Sequence, residues 1–307
     1  MSESSRADEA AGGESVRQLV TSVARRLRSE PEARWIVAHA VGVSPRELVS
    51  RLDNRTPAAT AAAVEEMTDR RIAGAPLQYI LGEWSFRRLE VSVDQRALVP
   101  RPETEEVVDV ALAELRRVES GAGRAASGTT LIAADLGTGS GVIALSLALE
   151  GPAGLEVWAT DVSDDALALA RTNLSSFSDT HPTARPVHLA GGSWFEALPD
   201  ALEGAIDVVV SNPPYVSAAE WSALDPEVRD HEPRTALVPG TTGREALETL
   251  IDVARSWLAP GGSLVLEMAP HQADAMADRA ADAGYTDIAV RRDLAGRDRI
   301  LVARRPR

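Results

Sequence analysis

From residue 131 to residue 304 the chain alternates short apolar runs with stretches of helical periodicity, and few architectures accept that pattern. The runs LIAADL (131–136), LEVWATD (155–161), PVHLA (186–190), IDVVVSN (206–212) and GSLVLEM (262–268) read as buried strands. Helical patterns fall at 142–149, 164–174, 244–258 and 273–283. Such alternation predicts a doubly wound α/β fold, a mostly parallel sheet covered by helices on both faces. The last two runs, DIAVRR (287–292) and RILVAR (299–304), are joined by DLAGRD alone. That link is too short for a crossover helix, so these two strands are expected to pair antiparallel and complete a seven-stranded sheet.

At 307 residues the chain suits two domains. Residues 1–14 are small, polar and acidic, and are expected to form a disordered tail. Over residues 15–74 a small helical domain is expected. Val16, Leu19, Val20, Val23 and Leu27 share one helical face, Pro31 opens a second helix through Trp35, Ile36 and Val37, and TPAATAAAVEEMTDRRIAG starts another that ends at Gly74. Ser44, Pro45 and Glu47 have the spacing of a capped helix start. Residues 75–102 read as a connector, with a short hairpin marked by Phe86, Leu89, Val91 and Val93 and stopped by Pro100 and Pro102. Residues 103–307 carry the α/β domain, whose first helix (103–118) runs into a flexible loop, ESGAGRAASGT.

Composition removes several classes of chemistry. There is no cysteine, so disulfides, thiolate nucleophiles and cysteine metal sites are excluded, and the five histidines lack metal-ligand spacing. No metal is expected. No apolar run approaches the roughly 20 residues that span a membrane, and the start of the chain lacks a signal-peptide pattern, so a cytoplasmic protein is expected. The net charge of −14 argues against a partner held chiefly through phosphates, although every one of the 32 basic residues is Arg, suited to bidentate contacts.

The first strand of the alternating region ends in DLGTGSG (135–141) and a helix follows. A glycine-rich strand-to-helix turn lets a ligand approach backbone amides at the carboxyl edge of a sheet. Gly137, Gly139 and Gly141 form G-x-G-x-G, not the G-x-G-x-x-G that seats a pyrophosphate. Asp161, one strand-helix-strand step onward, is placed to accept both ribose hydroxyls of a nucleoside. S-adenosylmethionine meets these requirements, with its ribose on Asp161 and its methionine end near Asp135 and the loop amides. NAD is the competing ligand. A second feature closes the strand IDVVVSN, where Asn212, Pro213, Pro214 and Tyr215 follow directly. Two prolines supply no ladder donors, so the strand must stop at Asn212 and turn stiffly. By itself the tetrapeptide is compatible with an ordinary turn as well as with a site.

Taken together the motifs resemble the class I S-adenosylmethionine-dependent methyltransferases, and within them the HemK/PrmC protein-glutamine methyltransferases. The resemblance runs from about Ser15 to the C-terminus. It is carried by PLQYILG (76–82), LVPRPETE (98–105), DLGTGSG, the acid of ATD (159–161), SWFEAL (193–198), SNPPY (211–215), HEPRTAL (231–237) and EMAPHQ (267–272). Met268 and Ala269, Ser193 and the segment VPGTTG depart from the usual family residues.

The resemblance implies a methyl transfer from S-adenosylmethionine to the side-chain nitrogen of the glutamine in the Gly-Gly-Gln motif of class I peptide-chain release factors. It implies a cofactor site at Asp135, Gly137, Thr138, Gly139, Ser140, Gly141, Asp161, Trp194 and Asn212, with Trp194 near the adenine. It further implies that the Asn212 oxygen and the Pro213 carbonyl accept the N–H bonds of the target amide, that Pro214 stiffens the turn and that Tyr215 lies against the amide face. Arg101 and Glu103, at a helix start, join the substrate side. A release factor is the expected partner, with neither nucleic acid nor membrane, for a monomer. Alternatives are a sister family that methylates a ribosomal-protein glutamine, N6-adenine DNA methyltransferases that share the Asn-Pro-Pro-Tyr turn, and a non-catalytic module that binds the cofactor and regulates a partner.

Overall fold

The computed structural model of the protein describes residues 13–120 and 130–307. The expected tail, up to residue 12, and the expected flexible loop, over 121–129, lie outside the described residues. The chain divides after Gly82 into two compact units.

The first unit is helical. Its helices span Val16–Leu27, Glu30–Val41, Ala58–Ile72 and Leu77–Leu81. Ser15 caps the first, its hydroxyl accepting from Gln18 N while Gln18 Oε1 accepts from Ser15 N at 2.8 Å, and Ser29 caps the second. Val16, Leu19, Val20, Val23, Ile36, Val37 and Val64 are buried between them. The capping pattern at Ser44 forms, with Ser44 N and Oγ both donating to Glu47, but a single 3-10 turn, Glu47–Arg51, follows it in place of a regular helix. The reason lies in the next residues. The carbonyls of Leu52 and Asn54 accept from Arg17 N and Val16 N at 2.9 and 3.0 Å, capping the free N–H groups of the first helix instead of extending their own.

The second unit opens with an antiparallel hairpin, β1 (Glu83–Phe86) and β2 (Leu89–Ser92), in which Phe86, Leu89 and Val91 are buried. It packs against the helices Val142–Glu150 and Asp164–Thr180. Asn173 of the latter helix holds β2 through both backbone groups of one residue. Its Oδ1 accepts from Ser92 N at 2.8 Å, and its Nδ2 donates to Ser92 O at 3.1 Å and to Ser140 O at 2.9 Å.

The central sheet has seven strands, β3 (Leu131–Leu136), β4 (Leu155–Asp161), β5 (Val187–Gly191), β6 (Ile206–Ser211), β7 (Leu258–Glu267), β8 (Thr286–Arg292) and β9 (Asp298–Arg304). Their order is β5-β4-β3-β6-β7-β9-β8. β9 runs antiparallel to both β7 and β8, and the remaining pairs are parallel, as the short link between the last two runs requires. Strand β7 starts at Leu258, before the glycines that the apolar pattern suggested, because Leu258 pairs with Ile206 ahead of a register shift. The chain winds outward from β3 through β4 and β5, then returns to place β6 on the other side of β3. The switch point where an open sheet binds ligands therefore lies between the carboxyl ends of β3 and β6. Among the described residues no helix is long and apolar enough to cross a membrane.

The helix Pro102–Glu119 is tied to the sheet by a buried acid. Glu114 accepts from Arg304 at 2.8 and 3.0 Å, from Arg117 at 2.7 Å and from Ser263 Oγ at 2.6 Å. Burial pushes the Glu114 carboxyl up, but the bonds from Arg304, Ser263 and Arg117 outweigh it and hold it at about 2. The folded value lies below the ordinary one, so the stabilisation is complete above about pH 4.5 and is lost as pH falls through about 2. Glu114→Gln is expected to lower stability by about 1–3 kcal/mol near neutral pH. Denaturant melts of the two proteins should converge on acidification, and a gap that persists undiminished to low pH would refute this account.

Candidate functional site

The turn after β3 is built on three left-handed glycines, Gly137 (φ 73°), Gly139 (φ 57°) and Gly141 (φ 88°). The amides of Gly137 and Thr138 both donate to Thr160 O at 2.8 Å, that of Gly141 to Thr138 O at 2.9 Å, and that of Gly139 to Asp161 Oδ2 at 2.8 Å. These four amides are thus engaged within the protein, and they fix the loop against the end of β4. Asp135 lies fully buried beneath it. Its Oδ2 accepts from Thr138 Oγ1 at 2.6 Å and from Ala144 N at 3.1 Å, while Oδ1 has no partner. Burial, with a contribution from Asp161, pushes the Asp135 carboxyl up to about 7 against the pull of those two bonds.

Asp161 ends β4 at the mouth of the cleft. Besides Gly139 N it accepts from Ser163 N at 2.9 Å through Oδ1, which leaves further lone pairs on both oxygens. Burial raises its carboxyl above the usual range. Val162 follows with 75% of its surface exposed. Across the loop stands Trp194, held at a φ of 46° that few non-glycine residues adopt, and Thr160 Oγ1 donates to its carbonyl at 3.2 Å.

On the other side of the switch point, β6 ends at Ser211, whose Oγ donates to Leu136 O at 2.5 Å, and the turn Asn212–Tyr215 begins. Asn212 Nδ2 donates to Thr104 Oγ1 at 3.1 Å, Thr104 Oγ1 donates to Glu267 Oε2 at 2.7 Å, and Tyr215 OH donates to Glu267 Oε1 at 3.2 Å. Burial drives the Tyr215 hydroxyl and the Glu267 carboxyl upward. Gln272 Nε2 bonds Tyr215 O at 3.0 Å, so the tyrosine is anchored at both ends.

Between these loops lies a cleft of about 210 Å³. Of the residues singled out in the sequence, Gly137, Thr138, Gly139, Ser140, Asp161, Trp194, Asn212, Pro214 and Arg101 line it. Asp135 and Gly141 sit behind the loop, Pro213 and Tyr215 behind the turn, and Glu103 turns away to bond Arg297 at 2.9 Å. The opposite wall comes from Leu98, Val99 and Pro100 and from Pro233, Thr235 and Ala236. Glu232 joins those two segments, pairing with the Arg101 guanidinium and accepting from Val99 N at 3.2 Å.

A carboxylate with spare lone pairs, a glycine loop, an aromatic ring and exposed Val162 at one end fit a nucleoside with free ribose hydroxyls. The carboxamide of Asn212 at the other end supplies a polar group for a second molecule.

Residues 126–225 match the family model described as the methyltransferase small domain, and residues 18–82 match that of the PrmC N-terminal domain. The chain is 38% identical over 275 residues to the release factor glutamine methyltransferase of Cereibacter sphaeroides, covering 90% of this chain and 91% of that one. Identity is 36% over 296 residues with the Deinococcus radiodurans protein of the same name (94% and 98% covered), and 42% over 235 residues with that of Gloeobacter violaceus (76% of each). The chain belongs to the release factor glutamine methyltransferase family.

Sequence reasoning passed over Thr104 and Asn173, and gave Glu267 no part beyond its motif. The available signal was an acid ending an apolar strand: a carboxylate at the close of GSLVLE must find donors, and only distant hydroxyls supply them.

Trp194 explains one glycine directly. A Cβ on Gly137 would stand 3.1 Å from Trp194 Cζ3, and the backbone there is left-handed. Gly137→Ala should therefore displace the ring and cost about 1–2 kcal/mol. A lowered melting temperature with altered tryptophan emission is expected, whereas unchanged emission would mean that the ring does not rest on this residue.

Proposed function

We infer that the protein transfers the methyl group of S-adenosylmethionine to the side-chain amide nitrogen of the glutamine in the Gly-Gly-Gln motif of class I release factors. The observation that carries this reading is the Asn212 carboxamide, which lines the cleft with its nitrogen committed to Thr104 and its oxygen left as an acceptor. The cofactor, when bound, supplies an electrophilic methyl on a sulfonium. Everything else falls to the chain.

Asp161 accepts the ribose hydroxyls with the lone pairs that Gly139 and Ser163 leave. Trp194 and Val162 flank the base, and Ser140, Gly137, Thr138 and Gly139 form the floor. Behind that floor stands Asp135, its Oδ1 unpartnered and its carboxyl raised by burial to about 7, on the side where the amino acid moiety would lie. An amide nitrogen is a poor nucleophile because its lone pair is delocalised, so its N–H bonds must be directed at acceptors. The Asn212 oxygen takes one and the Pro213 carbonyl the other, which aims the lone pair and stabilises positive charge as it develops on nitrogen. Proline stiffness keeps the acceptors in place before substrate arrives, and no general base is needed at the outset. Arg101, on the cleft wall, meets the protein substrate, with Tyr215 supporting the turn, whereas Glu103 is engaged by Arg297.

The acidic balance of the chain supports a protein partner over nucleic acid, and we read the enzyme as a cytoplasmic monomer that needs no membrane. A single glutamine side chain offers little to read, so selection of one site requires contacts remote from the chemistry. The helical unit before Gly82 carries none of the cleft residues, and we assign it to docking the release factor. A chain beginning at Glu83 should keep cofactor affinity yet lose methylation of intact release factor much more than that of a short Gly-Gly-Gln peptide at high concentration. Equal efficiency on the intact factor would remove the docking role.

The reaction itself is tested by incubating the protein with cofactor and release factor and locating one added methyl on the motif glutamine by mass spectrometry. Asn212→Ala should lower transfer by about 100-fold, the scale of removing one preorganised polar contact, with cofactor affinity nearly unchanged. Asp161→Ala should do the reverse, weakening cofactor binding by about 1–3 kcal/mol in calorimetry. Near-normal turnover in the first or unchanged affinity in the second sinks the corresponding role.

A further inference from the structure

Glu267 sits at the end of β7 with 1% of its surface exposed, outside the cleft lining, and yet it connects two residues of the Asn212–Tyr215 turn. A carboxylate has only acceptors. Thr104 has one hydroxyl proton, and at 2.7 Å from Glu267 Oε2 that proton is committed to the acid. The Thr104 oxygen can then only accept, so the Asn212 group that faces it at 3.1 Å must be the nitrogen. The orientation of a carboxamide is nearly invisible to shape, since its two ends have almost the same size. Here it is decided by the direction of a hydrogen-bond chain that starts at Glu267.

We propose that Glu267 is a positioning residue that acts through Thr104 to keep the Asn212 carboxamide oxygen toward the cleft, and through its other oxygen holds Tyr215 behind the turn. The proposal rests on the reading of Asn212 as the acceptor for the substrate amide. The groups facing Glu267 suit a carboxylate. Burial, with a smaller contribution from Glu103, pushes its carboxyl upward, against the pull of the two hydroxyls that donate to it and of the Arg299 guanidinium, whose Nη1 donates to Met268 O at 3.2 Å. A neutral amide in place of the acid would break the logic of the chain. Thr104 and Tyr215 both donate, and Gln offers one acceptor and one NH₂ group, so one of the two bonds must reverse. Reversal at Thr104 turns the Asn212 nitrogen toward the substrate, where it opposes the N–H groups it should accept.

The test uses Glu267→Gln, which preserves shape, and the pair Thr104→Val and Thr104→Ser, which removes and restores the hydroxyl. Glu267→Gln and Thr104→Val should lower kcat by about 10- to 100-fold, with the cofactor Kd within about twofold of the parent, and Thr104→Ser should recover most of the loss. In protein carrying ¹⁵N-asparagine, the Asn212 side-chain amide signal, identified by its absence in Asn212→Asp, should shift in the first two variants and return in Thr104→Ser. That signal requires no substrate. If the parent protein fails to methylate release factor, the functional reading falls and the amide measurement still decides the positioning. The positioning role is overturned by parental kcat in Thr104→Val, by an Asn212 signal that ignores the Thr104 hydroxyl, or by equal losses of kcat and cofactor affinity, which a general disturbance of the fold would give. Should Glu267→Gln not fold, the Thr104 pair decides between these outcomes alone.

Discussion

Two loops from distant parts of the sequence can share one cleft only if the strands that deliver them end side by side. In this sheet β3 and β6 are parallel neighbours, and Ser211 Oγ closes on Leu136 O where both strands stop. The hydroxyl occupies a carbonyl that the ladder no longer serves, so it satisfies a buried acceptor and aligns the two ends in one contact. The glycine turn leaves from one end and the Asn212 turn from the other. Their separation is therefore set by strand spacing and not by loop packing, which gives the site the rigidity of the sheet.

That rigidity is reached with several acids set into the fold. Asp135, Glu232 and Glu267 are buried and Asp161 is partly so, and burial pushes each of them upward. Each acid is given its own donors: the Thr138 hydroxyl and the helix amide of Ala144 for Asp135, the amides of Gly139 and Ser163 for Asp161, Arg101 and Val99 N for Glu232, and hydroxyls for Glu267. Acids so placed do two jobs. They orient the groups that donate to them, and those nearest the cleft set a negative field that favours a cationic ligand.

Much of this was legible in the sequence, for physical reasons that differ by element. The inner strands β3, β6 and β7 stood out because they are buried on both faces along most of their length and read as near-continuous apolar runs, and the antiparallel end followed from the length of one link. The glycine loop and Asp161 were legible because a left-handed turn and an acid closing an apolar strand leave local marks. The 3-10 turn after Ser44 was not, since a capping pattern records how a helix begins and not whether the following carbonyls are claimed by another helix. Thr104 escaped for a related reason. Its partner Glu267 lies 163 residues away, and no local pattern encodes a pairing that exists only after β7 has been laid beside β6. Glu232 and the 98–100 and 233–236 segments joined the cleft in the same way, through contacts that only the fold creates.

Asn173 has a consequence for association between molecules. A two-stranded hairpin exposes an unpaired edge on which another chain can add a strand. At Ser92 the Asn173 amide takes the place of that strand, accepting the N–H and donating to the carbonyl as a neighbouring backbone would. The same amide gives its second N–H to Ser140, in the loop that floors the cleft. One side chain therefore both occupies the edge of β2 and holds the loop, so a strand added at Ser92 would have to displace the same amide that steadies the floor of the cleft.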